Sequence, residues 1–204
     1  MTKPEIDPLQ TALTAALASV GQVPQTMNVE AGKALARAGQ TPASLYFVLS
    51  GEVRLIRHTP DGRVAVMQRV QRGPVAEASL DSRRYHCDVV CSRASRVLRL
   101  PLDAVRSVIE TEPELRRLWT QRLTREVIRL RATVERLNLD TAAERIAHAI
   151  TLDGSHFRLT MSSTRRQWAE ELGLSHEALY RALRRMKNDG RLAEPEPGTF
   201  QLLR

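Results

Sequence analysis

Leu174-Ser175-His176-Glu177-Ala178-Leu179-Tyr180-Arg181-Ala182-Leu183-Arg184-Arg185-Met186 decides how the rest of the chain is read. Leu179, Leu183 and Met186 recur at intervals of 4 and 3, which places them on one face of a helix. Ser175, just ahead, is a residue type that caps helix starts. Upstream, Thr164–Leu172 predicts a shorter helix with Trp168 and Leu172 turned to a core, and Gly173 supplies the turn. Two short helices joined through a glycine turn predict a helix-turn-helix. Downstream, Arg191–Glu194 and Thr199–Leu203 flank Pro195-Glu196-Pro197-Gly198 and predict a hairpin wing. The outer face of the second helix carries His176, Glu177, Tyr180, Arg181, Arg184 and Arg185. A structural helical hairpin would also show a basic face, but the ordered series of helix, turn, cap, basic helix and wing favours a DNA-reading unit.

Reading back toward the N-terminus, Thr141-Ala142-Ala143-Glu144 is a capping box, in which hydroxyl and carboxylate satisfy the free amides of a helix start. Arg145–Leu152 continues that helix and Asp153-Gly154 ends it. A break, taken as domain boundary and hinge, is expected near Asn138–Asp140. Before it, Leu123, Val127, Leu130, Val134 and Leu137 are spaced 4, 3, 4, 3, the a/d spacing of a coiled-coil seam, with Arg122, Arg125, Glu126, Arg129, Arg131, Glu135 and Arg136 alongside. One amphipathic helix lying on its own core gives a similar pattern. The seam spacing favours self-association. Pro113 suits the first turn of this helix, and Leu102–Glu110 predicts a short one before it.

The first half reads as β. Leu45–Leu49, Val53–Arg57, Val64–Val70, Asp88–Cys91 and Arg96–Leu100 are rich in β-branched and aliphatic residues. Ala31-Gly32, Ala38-Gly39, Ser50-Gly51, Pro60-Asp61-Gly62 and Gly73-Pro74 punctuate them, and Asp61-Gly62 is a hairpin signal. Short strands with glycine turns predict a roll, barrel or sandwich. Ahead of them, Pro8–Val20 predicts a short helix.

Composition agrees with a DNA-binding class. The 204 residues carry 31 Lys and Arg against 23 Asp and Glu, a net charge of +8, and the pI is near 10.4. Residues 1–112 hold 14 basic and 11 acidic side chains, whereas the shorter 113–204 holds 17 and 12, so the excess is denser where the reading helix lies. A merely basic enzyme would share the bulk charge. Ala12–Val20, the longest mostly apolar stretch, falls short of the roughly 20 residues a membrane span needs, so no membrane association is expected. That stretch also lacks the charged start and long apolar centre of a secretion signal, and two cysteines cannot form a disulfide framework. A reducing, cytoplasmic setting is expected.

With these motifs in place, residues 22–204 resemble the CRP/FNR family of bacterial transcription regulators, the cyclic-AMP receptor protein and fumarate–nitrate regulator group. Tyr46-Phe47-Val48-Leu49-Ser50-Gly51-Glu52-Val53 stands where the family has its strand–Ser-Gly–strand signature, and Leu174–Arg181 matches the start of its recognition helix. The resemblance implies an α+β chain: a cupin-like β jelly roll sensing an effector over 1–112, a dimerisation helix over 113–139, and a winged helix-turn-helix over 140–204. It implies a homodimer on a palindromic operator in double-stranded DNA, with RNA polymerase as a further partner. Glu177 and Arg181 match base-reading positions, with Glu177 able to orient the guanidinium; Arg can donate twice to guanine and Glu can accept from cytosine. His176 stands where the cyclic-AMP receptor has an Arg, and Tyr180 fills a variable reading position. Thr164, Arg166, Ser175 and Arg184 fit phosphate contacts, which orient the protein without reading sequence.

The sensor end departs from the family's cyclic-nucleotide pattern. In Gly73-Pro74-Val75-Ala76-Glu77-Ala78-Ser79-Leu80, Glu77 is kept but Ala76 replaces a glycine, and Tyr85-His86 stands at the Arg-Ser pair. Loss of that guanidinium argues against cyclic AMP. Glu77, Tyr85 and His86 remain the candidate effector-pocket residues. Cys87 and Cys91 are the other handles. Four residues apart on one strand, their Cα atoms stand roughly 13 Å from each other, too far for a disulfide. Buried packing competes with thiol-based redox sensing, or with Cu(I) or an iron–sulfur centre held with further ligands. Constitutive DNA binding with a vestigial sensor is a further alternative. A cupin-type enzyme needs several converging His, and the roll region offers only His58 and His86.

Overall fold

β3 (Ser44–Ser50) is buried on both faces, and the N-terminal architecture follows from that. Side chains alternate along a strand. Leu45 and Phe47 therefore enter one apolar cluster while Tyr46 and Val48 enter another. The computed structural model describes residues 7–58, 64–161 and 163–203. The turn expected at Asp61-Gly62 lies outside the described residues.

One antiparallel sheet runs in the order β1 (Gln25–Val29), β8 (Ser95–Pro101), β3, β6 (Gly73–Val75). A second runs β2 (Ala34–Ala36), β7 (Asp88–Cys91), β4 (Val53–His58), β5 (Val64–Val70). Tyr46, Val48 and Val97 of the first sheet meet Val53, Leu55, Val89 and Cys91 of the second in the roll interior. Two four-stranded antiparallel sheets closed over one core make the jelly roll. At its Ser50-Gly51 turn, Gly51 has φ +92, and a Cβ there would overlap Ser95 and the Ala94 carbonyl. Only glycine fits. The following Glu52 is fully buried and accepts from Ser92 Oγ at 2.6 Å, Arg54 Nε at 2.8 Å and Gln71 Nε2 at 3.3 Å. Burial alone would raise its pKa, but these three donors outweigh it and hold the carboxyl below its ordinary value.

The other face of β3 is covered by helices. In α1 (Pro8–Ser19), Asp7 accepts from the Leu9 amide at 2.9 Å, and Leu9, Leu13 and Leu17 line one buried stripe. They pack with Leu102, Val105, Val108 and Ile109 of α2 (Leu102–Thr111) and with Leu115 and Trp119 of α3 (Pro113–Leu137). Each such buried leucine contributes about 1.5–3 kcal/mol.

By its contacts the chain forms two compact units, Met1–Arg122 and Leu123–Arg204, so the division falls inside α3. The second unit holds the end of α3, α4 (Ala142–Asp153), β9 (Arg158–Thr160), α5 (Arg165–Glu171), α6 (His176–Asn188), β10 (Leu192–Glu196) and β11 (Thr199–Leu202). Its three strands pair in the order β10-β11-β9. Ile146, Ile150, Leu172, Leu179, Leu183 and Met186 surround Trp168, which stacks on Phe200 with ring centroids 5.1 Å apart. Both hydrogen bonds of the Thr141–Glu144 capping box form.

The expected hinge at Asn138–Asp140 is a braced corner. Arg145 donates to the carbonyls of Leu137 and Leu139, each at 3.0 Å, and to those of Leu172 and Gly173. Buried Arg136 donates to Asp153 at 2.6 Å and to His148 Nδ1 at 3.3 Å. Four strands escaped the sequence reading. β2, β6 and β9 have three residues each, too few for a period-2 signal, and β1 is half exposed. Thr164 and Ser175 sit outside their helices as caps. Among the described residues, no helix is long and apolar enough to cross a membrane.

Candidate functional site

α5 and α6 present the DNA-reading candidates because each is fixed at its start by a hydroxyl. Thr164 accepts from the Gln167 amide at 3.3 Å, and Ser175 accepts from the Ala178 amide at 3.1 Å. Each cap uses the hydroxyl as acceptor and leaves its proton to be donated. Between them Gly173 has φ +64, and an added Cβ would sit 2.6 Å from Leu137 Cδ2 and 3.2 Å from Arg145 Nη1. The turn therefore requires glycine both for its backbone and for its close packing.

With Leu179, Leu183 and Met186 buried, α6 turns His176, Glu177, Tyr180, Arg181, Arg184 and Arg185 outward. Arg166, Ser175 and His176 border one groove of about 430 Å³ with Ala169, Glu170 and Leu174. Among the described residues, no side-chain hydrogen bond or ion pair engages Glu177, Arg181 or Arg184. The expected orientation of Arg181 by Glu177 is thus not made; a solvated pair gains too little to hold two long side chains. All three groups remain available to an external partner.

Sequence reasoning missed the group that fixes the wing. Glu194 on β10 accepts from Lys187 of α6, from Arg165 of α5 and from the Gly198 amide of the wing turn at 3.0 Å. Burial opposes its charge, but those three donors win and hold its pKa down to about 2. The Arg165 guanidinium also lies 5.3 Å from the Tyr180 ring centroid and 5.8 Å from that of Phe200. These contacts join α5, α6, both wing strands and the turn between them, and no spacing in the sequence announces them.

In the roll, Ala76 keeps the left-handed backbone (φ 62, ψ 39) that a glycine would adopt easily. The next residue, Glu77, is buried and lies 3.5 Å from Arg122 of α3. Arg122 Nε is itself buried with no hydrogen-bond partner among the described residues. The sequence placed Arg122 only beside the seam. Here it ties the roll cassette to α3. Tyr85 is buried and donates to the Ser44 carbonyl at 2.6 Å, and burial pushes its phenol pKa up. His86 is exposed.

Cys87 and Cys91 are both buried in the apolar roll interior, where burial raises both thiol pKa values. Among the described residues, no group of three His, Cys, Asp or Glu side chains could hold a metal ion. On α3 the seam residues are open: Leu123 is 38%, Val127 44%, Leu130 44%, Val134 60% and Leu137 46% exposed. A row of apolar side chains this long is unusual on a surface that stays in water.

Comparison with known proteins adds to this geometry. Residues 26–112 match the family model described as cyclic nucleotide-binding domain. FixK2 from Bradyrhizobium japonicum is similar in structure, with a TM-score of 0.68 at 17% identity over 89% of this chain and 93% of that one. The c-di-GMP-responsive global regulator CLP of Xanthomonas campestris gives 0.65 at 18% identity, over 96% and 98%. A CRP/FNR-family transcriptional regulator from Thermus thermophilus, TTHA1359, gives 0.60 at 21%, over 88% and 94%. None of the curated proteins matches. At these identities the likeness shows the fold: a cyclic nucleotide-binding-type roll followed by helices, as in CRP/FNR-type regulators.

Proposed function

We propose that this chain, a cyclic nucleotide-binding-type roll on a CRP/FNR-type fold, is a homodimeric, sequence-specific DNA-binding transcription regulator rather than an enzyme. The observation that carries the reading is the exposed face of α6, where Glu177, Arg181 and Arg184 have no internal partner among the described residues. Arg181 donates to guanine O6 and N7 and Glu177 accepts from cytosine N4. Thr164, Ser175, Arg166 and Arg184 hold phosphates. The open seam from Leu123 to Leu137 pairs with the same helix of a second copy, and two-fold symmetry then calls for a palindromic operator. RNA polymerase is the partner through which such a complex acts on transcription.

In the roll, the Glu77–Arg122 pair supports a switching mechanism. An effector that draws Glu77 away from Arg122 biases α3 and, through it, the spacing of the two reading helices. Tyr85 is committed to the Ser44 carbonyl and the Tyr85-His86 segment carries no guanidinium to meet a cyclic phosphate, so we read the effector as other than cyclic AMP. Selection from a random duplex pool, with sedimentation of the selected complex, tests the assignment. Enrichment of a palindrome bound by two chains is expected. A pool that stays random contradicts DNA reading, and one chain per site contradicts the dimer.

A further inference from the structure

His176 and Tyr180 stand one helical turn apart on the exposed face of α6 with ring centroids 4.5 Å apart and planes tilted by 55°. Such a tilted pair is an attractive arrangement of two rings. Behind Tyr180 lies Arg165, whose guanidinium is 5.3 Å from the ring centroid. Arg165 starts α5, the segment implied to hold phosphates, yet its charge is engaged within the protein. It pairs with Glu194 and also faces the Phe200 ring at 5.8 Å. Burial opposes the cation, but Tyr180 and Glu194 outweigh it and raise its pKa. Arg166, the next residue, is instead 83% exposed, with Glu170 near it at 3.9 Å.

We infer that Arg165 is a positioning residue that holds Tyr180 against His176, and that this aromatic pair reads one base pair through apolar contact with a thymine methyl group. The inference rests on the DNA-reading assignment of α6. A side chain that is ordered before binding loses less conformational freedom on contact, so its discrimination is sharper. With the Arg165 guanidinium over its ring and the His176 ring beside it, Tyr180 is still 42% exposed and offers ring carbon to a partner. The thymine 5-methyl is the apolar mark in the major groove.

Base preferences selected from a random duplex pool test this for the wild type, Tyr180→Ala, Arg165→Gln and Arg166→Gln, with the salt dependence of affinity measured beside them. Tyr180→Ala is expected to lose a preference of about tenfold for thymine at one position of each half-site. Arg165→Gln should weaken that same position and keep the preferences set by Glu177 and Arg181. Its slope of log affinity against log salt should stay at the wild-type value, whereas Arg166→Gln lowers it by about one. Circular dichroism melting checks that each variant is folded, and Arg165→Lys, which keeps the charge on Glu194, replaces the glutamine variant if that one melts early. A wild type that selects nothing defeats the DNA-reading assignment itself. A selecting wild type overturns this inference alone if Tyr180→Ala keeps every preference, or if Arg165→Gln loses salt slope rather than the thymine preference.

Discussion

Replacing Glu194 by Gln removes one charge from the wing while keeping a carbonyl oxygen for the Gly198 amide. The carboxyl pKa falls from 4.5 to about 2 in the folded chain. At about 1.4 kcal/mol per unit, the ceiling on its contribution at neutral pH is roughly 3 kcal/mol. Arg165 and Lys187 are 31% and 37% exposed, so water screens the pairing and about 1–2 kcal/mol is expected. A folded pKa held below the unfolded one stabilises fully above pH 4.5. That stabilisation fades as pH falls through 4.5 toward 2. Trp119 lies in the first unit and Trp168 in the second, so a Trp119→Phe background lets fluorescence report the wing unit by itself. At pH 7, Glu194→Gln should lower the melting temperature of that unit by roughly 5–15 °C. The gap to the parent should close as the buffer approaches pH 2. Equal melting at pH 7, or a gap unchanged at pH 2, refutes the electrostatic account of the wing.

Other positions give sharper local tests. Ala76→Gly relieves a left-handed alanine and should raise the stability of the roll by about 0.5–1 kcal/mol in urea titration; a loss would show that the Ala76 methyl packs usefully. Gly51→Ala drives a Cβ into Ser95 and the Ala94 carbonyl and should cost more than about 2 kcal/mol in the same assay, with retained stability as the contrary result. Cys87 and Cys91 should resist iodoacetamide at pH 8 in the native chain and react fully in urea, because burial raises both thiols; rapid native labelling would return them to the list of sensors.

Long periodic elements were legible in the sequence, and contacts between distant segments were not. The 4, 3 spacing on α6, the Thr141–Glu144 box and the strands around Ser50-Gly51 are local patterns, and each forms within a residue or two of its expected place. The three-residue strands give no periodic signal, and their pairing depends on neighbours far along the chain. The reading face of α6 was visible because solvent-facing polar residues interrupt a buried stripe. Glu194, Arg165 and Arg122 were not, since each takes its meaning from partners 29 to 45 residues away or from the wing turn. The hydrogen bonds around the corner after α3 were missed for the same reason: Arg145 reaches carbonyls on two separate segments, a property of the fold and not of its composition.

The central claim is that Arg181 discriminates bases from an exposed helix face. Its most direct test is the affinity of the wild type and Arg181→Ala for the selected operator and for an unrelated duplex of equal length, at one fixed salt concentration. The account predicts that the variant loses at least about tenfold on the operator while its affinity for the unrelated duplex changes little. Unchanged operator affinity, or an equal loss on both duplexes, would contradict it.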